Sequence, residues 1–129
     1  MKKEFLGLRT SIYKVSNLEK AKEWYSEVLG LLPYFDEPFY VGFEIEGFEL
    51  GLQPEKAEDM PKADSVVTYW GVEDINFAYQ RILYMGATAH EPPSEVGNEI
   101  RVASVKDPWG NVFGLIFNPH FKPAPVQNL

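Results

Sequence analysis

Apolar positions along this chain follow two rhythms, and the rhythms come twice in the same order. β-Branched and aromatic residues make LRTSIYKV (residues 8–15) strand-like. Leu18, Ala21, Tyr25, Val28 and Leu29 then fall at helical spacing and form one apolar stripe. Ser16 and Glu19 have the spacing of a capping box, which predicts a helix start, and Gly30 stands where a C-terminal cap belongs. YVGFEIEG and FELGLQP follow as a predicted hairpin turning through Glu46 and Gly47.

The second half repeats the order. SVVTYWGV is strand-like, Glu73 or Asp74 is the predicted cap, Ile75, Ala78, Ile82 and Met85 make the stripe, and Gly86 closes it. EIRVASVKD and NVFGLIF form a hairpin through DPWG, in which Asp107 bonds the backbone ahead, Pro108 presets φ and Gly110 tolerates positive φ. Val15/Val72, Asn17/Asp74, Leu18/Ile75 and Ala21/Ala78 all recur 57 residues apart. The pattern predicts an α+β fold of two tandem βαβββ modules, residues 5–54 and 63–118, within one domain spanning 1–129. Each helix leaves room for an extra short strand after it. Residues 54–64 read as a linker and 119–129 as a C-terminal tail.

Composition narrows the function. The chain has 129 residues, no cysteine and a net charge of −7. Without cysteine there is no disulfide, thiolate metal site or Cys nucleophile, which fits a reducing compartment. The longest apolar run, VFGLIF, is too short to cross a bilayer, and the start MKKEFLGLR lacks a signal-peptide core. A cytoplasmic protein without membrane contact is expected. The acidic balance argues against nucleic acid as a partner. Nine Phe, seven Tyr and three Trp exceed what so small a core needs, so some should line a cavity or a subunit contact.

One position in the last strand raises a question. In NVFGLIF, Phe113, Leu115 and Phe117 share a face, while Val112, Gly114 and Ile116 point the other way. A glycine inside a strand weakens it and marks close approach by a ligand or another group. Gly51 in FELGLQ poses the same question. An organic ligand, a neighbour's aromatic ring or ordinary cross-sheet packing could take the space.

The doubled unit, with V-S-N-L-E-K-A opening the first helix and D-P-W-G-N before the last strand, resembles the glyoxalase I/bleomycin-resistance/dioxygenase superfamily, also called vicinal oxygen chelate. The resemblance implies that each module curls its sheet around half of a cup-shaped cavity and that modules pair, with a homodimer expected. In metal-dependent members, lactoylglutathione lyases and dioxygenases among them, a His or Glu enters the cup from the first and last strands of each module. Counting from the two signatures, those positions here are Thr10, Gly51, Val67 and Gly114. That set cannot hold a divalent ion, so no metal and no cofactor is expected. His90 and His120 lie outside those strands and are not expected to be ligands.

Alternation then puts Ile12, Glu49, Gln53 and Tyr69 on the face shared by those four positions, together with Leu8, Lys14, Gly71, Val112 and Ile116. Glu49 is a weak catalytic candidate: in a partly dry site its pKa would rise and it could act as a general base. It could equally face solvent at a strand end. Trp109 and the aromatics of LPYFDEPFY (Tyr34, Phe35, Phe39, Tyr40) could close the mouth of the cup or bury themselves against a second subunit. No GxSxG, P-loop, GxGxxG or HExxH motif is present, and no His is placed in sequence to activate a Ser. The expected function is metal-independent binding of a small organic ligand. A lyase, isomerase or dioxygenase with a divergent site is the alternative, and a contact module with a filled cup is the third reading.

Overall fold

The computed structural model describes residues 4, 8–59, 61–63 and 67–121. Ten elements follow in order: β1 (Thr10–Val15), α1 (Leu18–Leu29), β2 (Phe35–Glu37), β3 (Tyr40–Ile45), β4 (Phe48–Pro54), β5 (Thr68–Gly71), α2 (Ile75–Tyr84), β6 (Thr88–Gly97), β7 (Ile100–Lys106) and β8 (Val112–Phe117). They build two four-stranded mixed sheets of matching order, β1-β4-β3-β2 and β5-β8-β7-β6. This is the βαβββ unit made twice. Residues 5–7 of the expected first module, 60 and 64 of the expected linker, 64–66 of the expected second module and 122–129 of the expected tail lie outside the described residues.

The helices begin and end where local chemistry dictates, with one correction. Asn17, not Ser16, caps α1: its side chain accepts from the Lys20 amide at 3.0 Å, so the Ser16–Glu19 box does not form. Asp74 caps α2 by accepting from the Phe77 amide at 3.0 Å. Gly30 ends α1 in the left-handed conformation that a side chain would disfavour. The β3–β4 turn passes through Glu46 and Gly47, both at positive φ, as expected. A second such turn, Asn98–Glu99, joins β6 to β7; the strand after α2 is therefore ten residues long rather than short, and carries register shifts along its length.

Each helix lies on one face of its own sheet. Tyr13, Val15, Val41, Phe43, Leu50 and Leu52 from the first sheet are buried with Ala21, Tyr25 and Val28 of α1. Ala103, Val105, Phe113 and Leu115 are buried with Ile75, Tyr79 and Ile82 of α2. The opposite face of each sheet carries Thr10, Ile12, Lys14, Gly51, Tyr69 and Gly114 by strand alternation. That face positions the site.

Several contacts join the two halves. Trp24 Nε1 donates to the Met85 carbonyl at 2.8 Å, and the Arg81 guanidinium donates to the Val28 and Glu27 carbonyls, each at 3.1 Å. Arg81 thus satisfies exposed carbonyls at the C-terminus of α1 and places a cation at that end of its dipole. The edge strands β1 and β5 meet at Ser11 and Thr68, whose hydroxyls are 3.4 Å apart and whose numbers differ by the repeat offset.

Asp107 accounts for the D-P-W-G-N signature. It is almost fully buried and accepts from the Trp109 amide (2.9 Å), the Asn111 amide (2.8 Å), Asn111 Nδ2 (3.0 Å) and the Tyr25 hydroxyl (2.7 Å). Asn111 Nδ2 and Lys62 Nζ both donate to the Lys14 carbonyl, at 2.9 and 2.7 Å, tying the turn to β1. Burial, followed by the Asp107 carboxylate, pushes the pKa of Tyr25 well above its ordinary value. Removing that hydroxyl by Tyr25→Phe takes a donor from a buried carboxylate and should cost about 2 kcal/mol of unfolding free energy in urea titrations. An unchanged midpoint would show that Tyr25 contributes only its ring.

Candidate functional site

The space above the strand glycines is taken by tyrosines. A Cβ at Gly51 would collide with the ring and hydroxyl of Tyr40, and one at Gly114 would stand 2.7 Å from the Tyr69 ring and 2.9 Å from the Thr68 carbonyl. Tyr69 is the direct cross-strand neighbour of Gly114, whereas Ile12 is the neighbour of Gly51 and Tyr40 reaches over from β3. A third glycine belongs to the same device. Gly42 pairs with Gly51, and a Cβ there would meet Glu49 Oε2 at 2.8 Å and Tyr34 at 3.1 Å.

These glycines let aromatic rings lie flat against the backbone, where any side chain would lift them. Gly114→Ala should destabilise the protein by about 1–3 kcal/mol, more than Gly51→Ala, because one clash at Gly114 is with backbone and cannot swing aside. Equal thermal-denaturation losses would contradict that ordering.

The rings of Tyr34 and Tyr40 converge on Glu49. Thr10 Oγ1 donates to Glu49 Oε1 at 2.9 Å, and the Tyr34 hydroxyl donates to Oε2 in a short hydrogen bond. These donors, Tyr34 foremost, hold the Glu49 pKa below its ordinary value against a smaller opposing effect of burial, with Tyr40 adding to the lowering. This corrects the expectation of a raised pKa: desolvation is outweighed by hydroxyls that bond the charged form. The Tyr34 pKa is raised by the same hydrogen bond, and that of Tyr40 is pushed up to about 12, first by burial and then by Glu49.

A carboxylate whose folded pKa is depressed stabilises the fold above its unfolded value, 4.5 here, and loses that contribution as pH falls through the folded value. The stability advantage of the wild type over Glu49→Gln should therefore fade below about pH 4.5. The same substitution should lower the Tyr40 titration midpoint, read by ultraviolet absorbance, from about 12 only part of the way to 10, since burial persists.

Around this carboxylate lies an open groove of about 380 Å³ lined by Arg9, Thr10, Tyr34, Glu44, Gly47, Phe48 and Glu49. Glu44 and Glu49 are directly opposite one another in the β3–β4 ladder. Phe35 and Phe39 continue the aromatic surface, their rings 6.1 Å apart, with Phe35 5.9 Å from Tyr40. A larger but flatter hollow of about 610 Å³ lies on the outer side of α2 among Phe77, Gln80, Arg81, Leu83 and Tyr84. It has no carboxylate or cluster of hydroxyls, and the smaller groove is the better candidate despite its size.

The other expected lining residues divide. Ile12 and Tyr69 are each 46% exposed on the open face, with Val67 and Gln53 partly buried. Trp109 does not close a mouth: its ring packs on α1, 6.0 Å from Trp24 and 6.5 Å from Tyr25, because the turn that carries it folds back onto the helix layer. His90 is engaged within the second sheet. It lies in β6 with Nδ1 2.7 Å from the buried Ser104 hydroxyl, and Ser104 is the ladder partner of Gly114. Sequence reading missed this Ser–His contact because the two residues meet across an irregular strand pair. Among the described residues, no group of three or more His, Asp or Glu is placed to hold a metal ion. No described helix is long and apolar enough to cross a membrane.

A family model described as the Glyoxalase/Bleomycin resistance protein/Dioxygenase superfamily matches residues 10–115. No curated protein sequence matches the chain. A family enzyme from Burkholderia phytofirmans PsJN is similar in structure at TM-score 0.73 and 16% identity, covering 84% of this chain and 95% of that one. A superfamily member from Sphaerobacter thermophilus gives 0.71 and 23%, covering 88% and 98%. Lactoylglutathione lyase from Agrobacterium tumefaciens gives 0.69 and 17%, covering 89% and 96%. At these identities the likeness concerns the fold.

Proposed function

Because the chain belongs to the glyoxalase/bleomycin resistance protein/dioxygenase superfamily, we propose that it is a metal-independent small-molecule-binding protein that holds an organic ligand against the open face of its sheets. The observation that carries this reading is the donor set. The four positions from which a metal site would be built carry Thr10, Gly51, Val67 and Gly114, and tyrosine rings lie over both glycines. Glu49 and its ladder partner Glu44 are the carboxylates nearby, engaged by the Thr10 and Tyr34 hydroxyls and by the Gly47 amide; among the described residues no third His, Asp or Glu joins them, so they do not fit a divalent ion that needs several protein ligands. What remains is an aromatic, hydroxyl-lined surface of the kind that receives organic molecules.

An enzyme using Glu49 as a general base is the weaker reading. A general base works best with a pKa near the working pH, and the hydroxyls around Glu49 lower its pKa further from that range, which leaves it ionised but with weak affinity for a proton. The chain acts as a homodimer in the cytoplasm in this proposal; exposed Phe77 and Tyr84 on α2 and the absence of cysteine from the sequence support those two points.

Elemental analysis of the purified protein should find no stoichiometric Zn, Ni, Mn or Fe, and native mass spectrometry should reveal a small organic molecule bound to the folded chain. A metal at one equivalent per chain would overturn the proposal in favour of the enzyme reading. A chain that carries no ligand and takes none from a metabolite extract would favour a contact role instead.

A further inference from the structure

We infer that the groove at Glu49 takes the head of a weakly hydrated organic cation, an ammonium group carrying alkyl substituents; this rests on the ligand-binding reading and names its ligand class. Three independent features converge. The first is charge. Glu44 and Glu49 face each other directly across the β3–β4 ladder, a placement that like charges disfavour unless a cation sits between or above them. Arg9 also lines the groove, so two carboxylates stand against one guanidinium, and among the described residues neither carboxylate is in an ion pair. Glu44 Oε1 is instead engaged by the Gly47 amide at 3.0 Å.

The second feature is the state of the Glu49 oxygens. Thr10 and Tyr34 already donate to both of them. The carboxylate keeps its charge but has few lone pairs left for new donors. A primary ammonium, which needs hydrogen-bond acceptors for its three N–H groups, is poorly served there. An alkylated ammonium needs only the field.

The third is the aromatic surface. Tyr34 and Phe39 are 63% and 65% exposed, and Phe35 and Tyr40 lie beside them. Ring faces attract cations, most strongly those that shed water easily. The pseudo-symmetric place in the second sheet lacks this set. Counting two ladder steps from each glycine, Lys106 and Val112 stand where Glu44 and Glu49 stand in the first. The cation site is therefore confined to one end of the open face.

Calorimetric titration of the whole protein with choline and with tetramethylammonium tests the inference, using the neutral tert-butyl isostere of choline as control. We expect choline to bind with a Kd on the order of 1 mM or tighter, and the isostere at least roughly tenfold more weakly. Glu49→Gln should weaken choline roughly tenfold, and Tyr34→Leu several-fold, while Tyr34→Phe, which keeps the ring, should retain most of the affinity. Circular dichroism on each variant separates lost binding from lost folding, and Tyr34→Leu together with the neutral isostere carries the test if Glu49→Gln does not fold. Equal binding of the isostere, or undiminished binding by folded Glu49→Gln, would sink the cation while leaving a neutral organic ligand in place. Absence of any choline or tetramethylammonium binding would sink it too, and the co-purified ligand seen by native mass spectrometry would then decide the broader proposal by itself.

Discussion

The carboxylate of Asp107 is the group on which the arrangement of the two halves turns. A charge taken out of water must be met by donors, and four reach it from three sources: the turn backbone, Asn111 and Tyr25. Tyr25 comes from the first helix and the turn joins the last two strands, so meeting this one requirement draws the halves together. Asn111 extends the same network to the backbone of β1, the first strand of the open face. The side chains of the site are held in place from behind, through a network none of them belongs to.

Much of this was legible in the sequence because it is local or periodic. The 57-residue repeat, the helix stripes, the Asp74 cap and the Glu46–Gly47 turn each depend on neighbours a few residues away, and all appear where their patterns place them. Leu50 and Leu52 are buried in the core on either side of Gly51, as strand alternation requires. The site resisted the same treatment. Nothing in FELGLQ reveals that Glu49 will receive hydroxyls from Thr10 and Tyr34, 39 and 15 residues away. The sign of its pKa shift depended on those partners. Trp109 was misread for a related reason: a tight turn aims its side chain back onto the helix layer, in a direction that strand alternation cannot follow.

The glycines show how one rule gives different results in two copies. Gly51 and Gly114 occupy matching places, yet each is covered from a different side: by Tyr40 from the neighbouring antiparallel strand, and by Tyr69 from the parallel one. Where the first sheet has Ile12, the second has Tyr69; where the first has Gly42 beside its glycine, the second has Ser104. Removing Cβ at Gly42 as well as Gly51 clears a wider floor in the first sheet, and Tyr34, Tyr40 and Glu49 all settle on it. In the second sheet Ser104 keeps its side chain and meets His90 instead.

This asymmetry explains how a repeated scaffold can have one distinctive pole. The backbone requirements of the repeat, its caps, turns and buried alternation, are met equally in both halves and leave the open face free to vary. The matching ladder positions then differ in charge, Glu44 and Glu49 in the first sheet against Lys106 and Val112 in the second. A charge exposed to water on a flat sheet is heavily screened, but at the Tyr34–Tyr40 end the rings displace part of that water and the hydroxyls fix the carboxylate's position. Glu49 there is a fixed negative point beside an apolar surface, and in the ligand-binding reading proposed above its value lies in its already being paired with hydroxyls rather than with a competing cation.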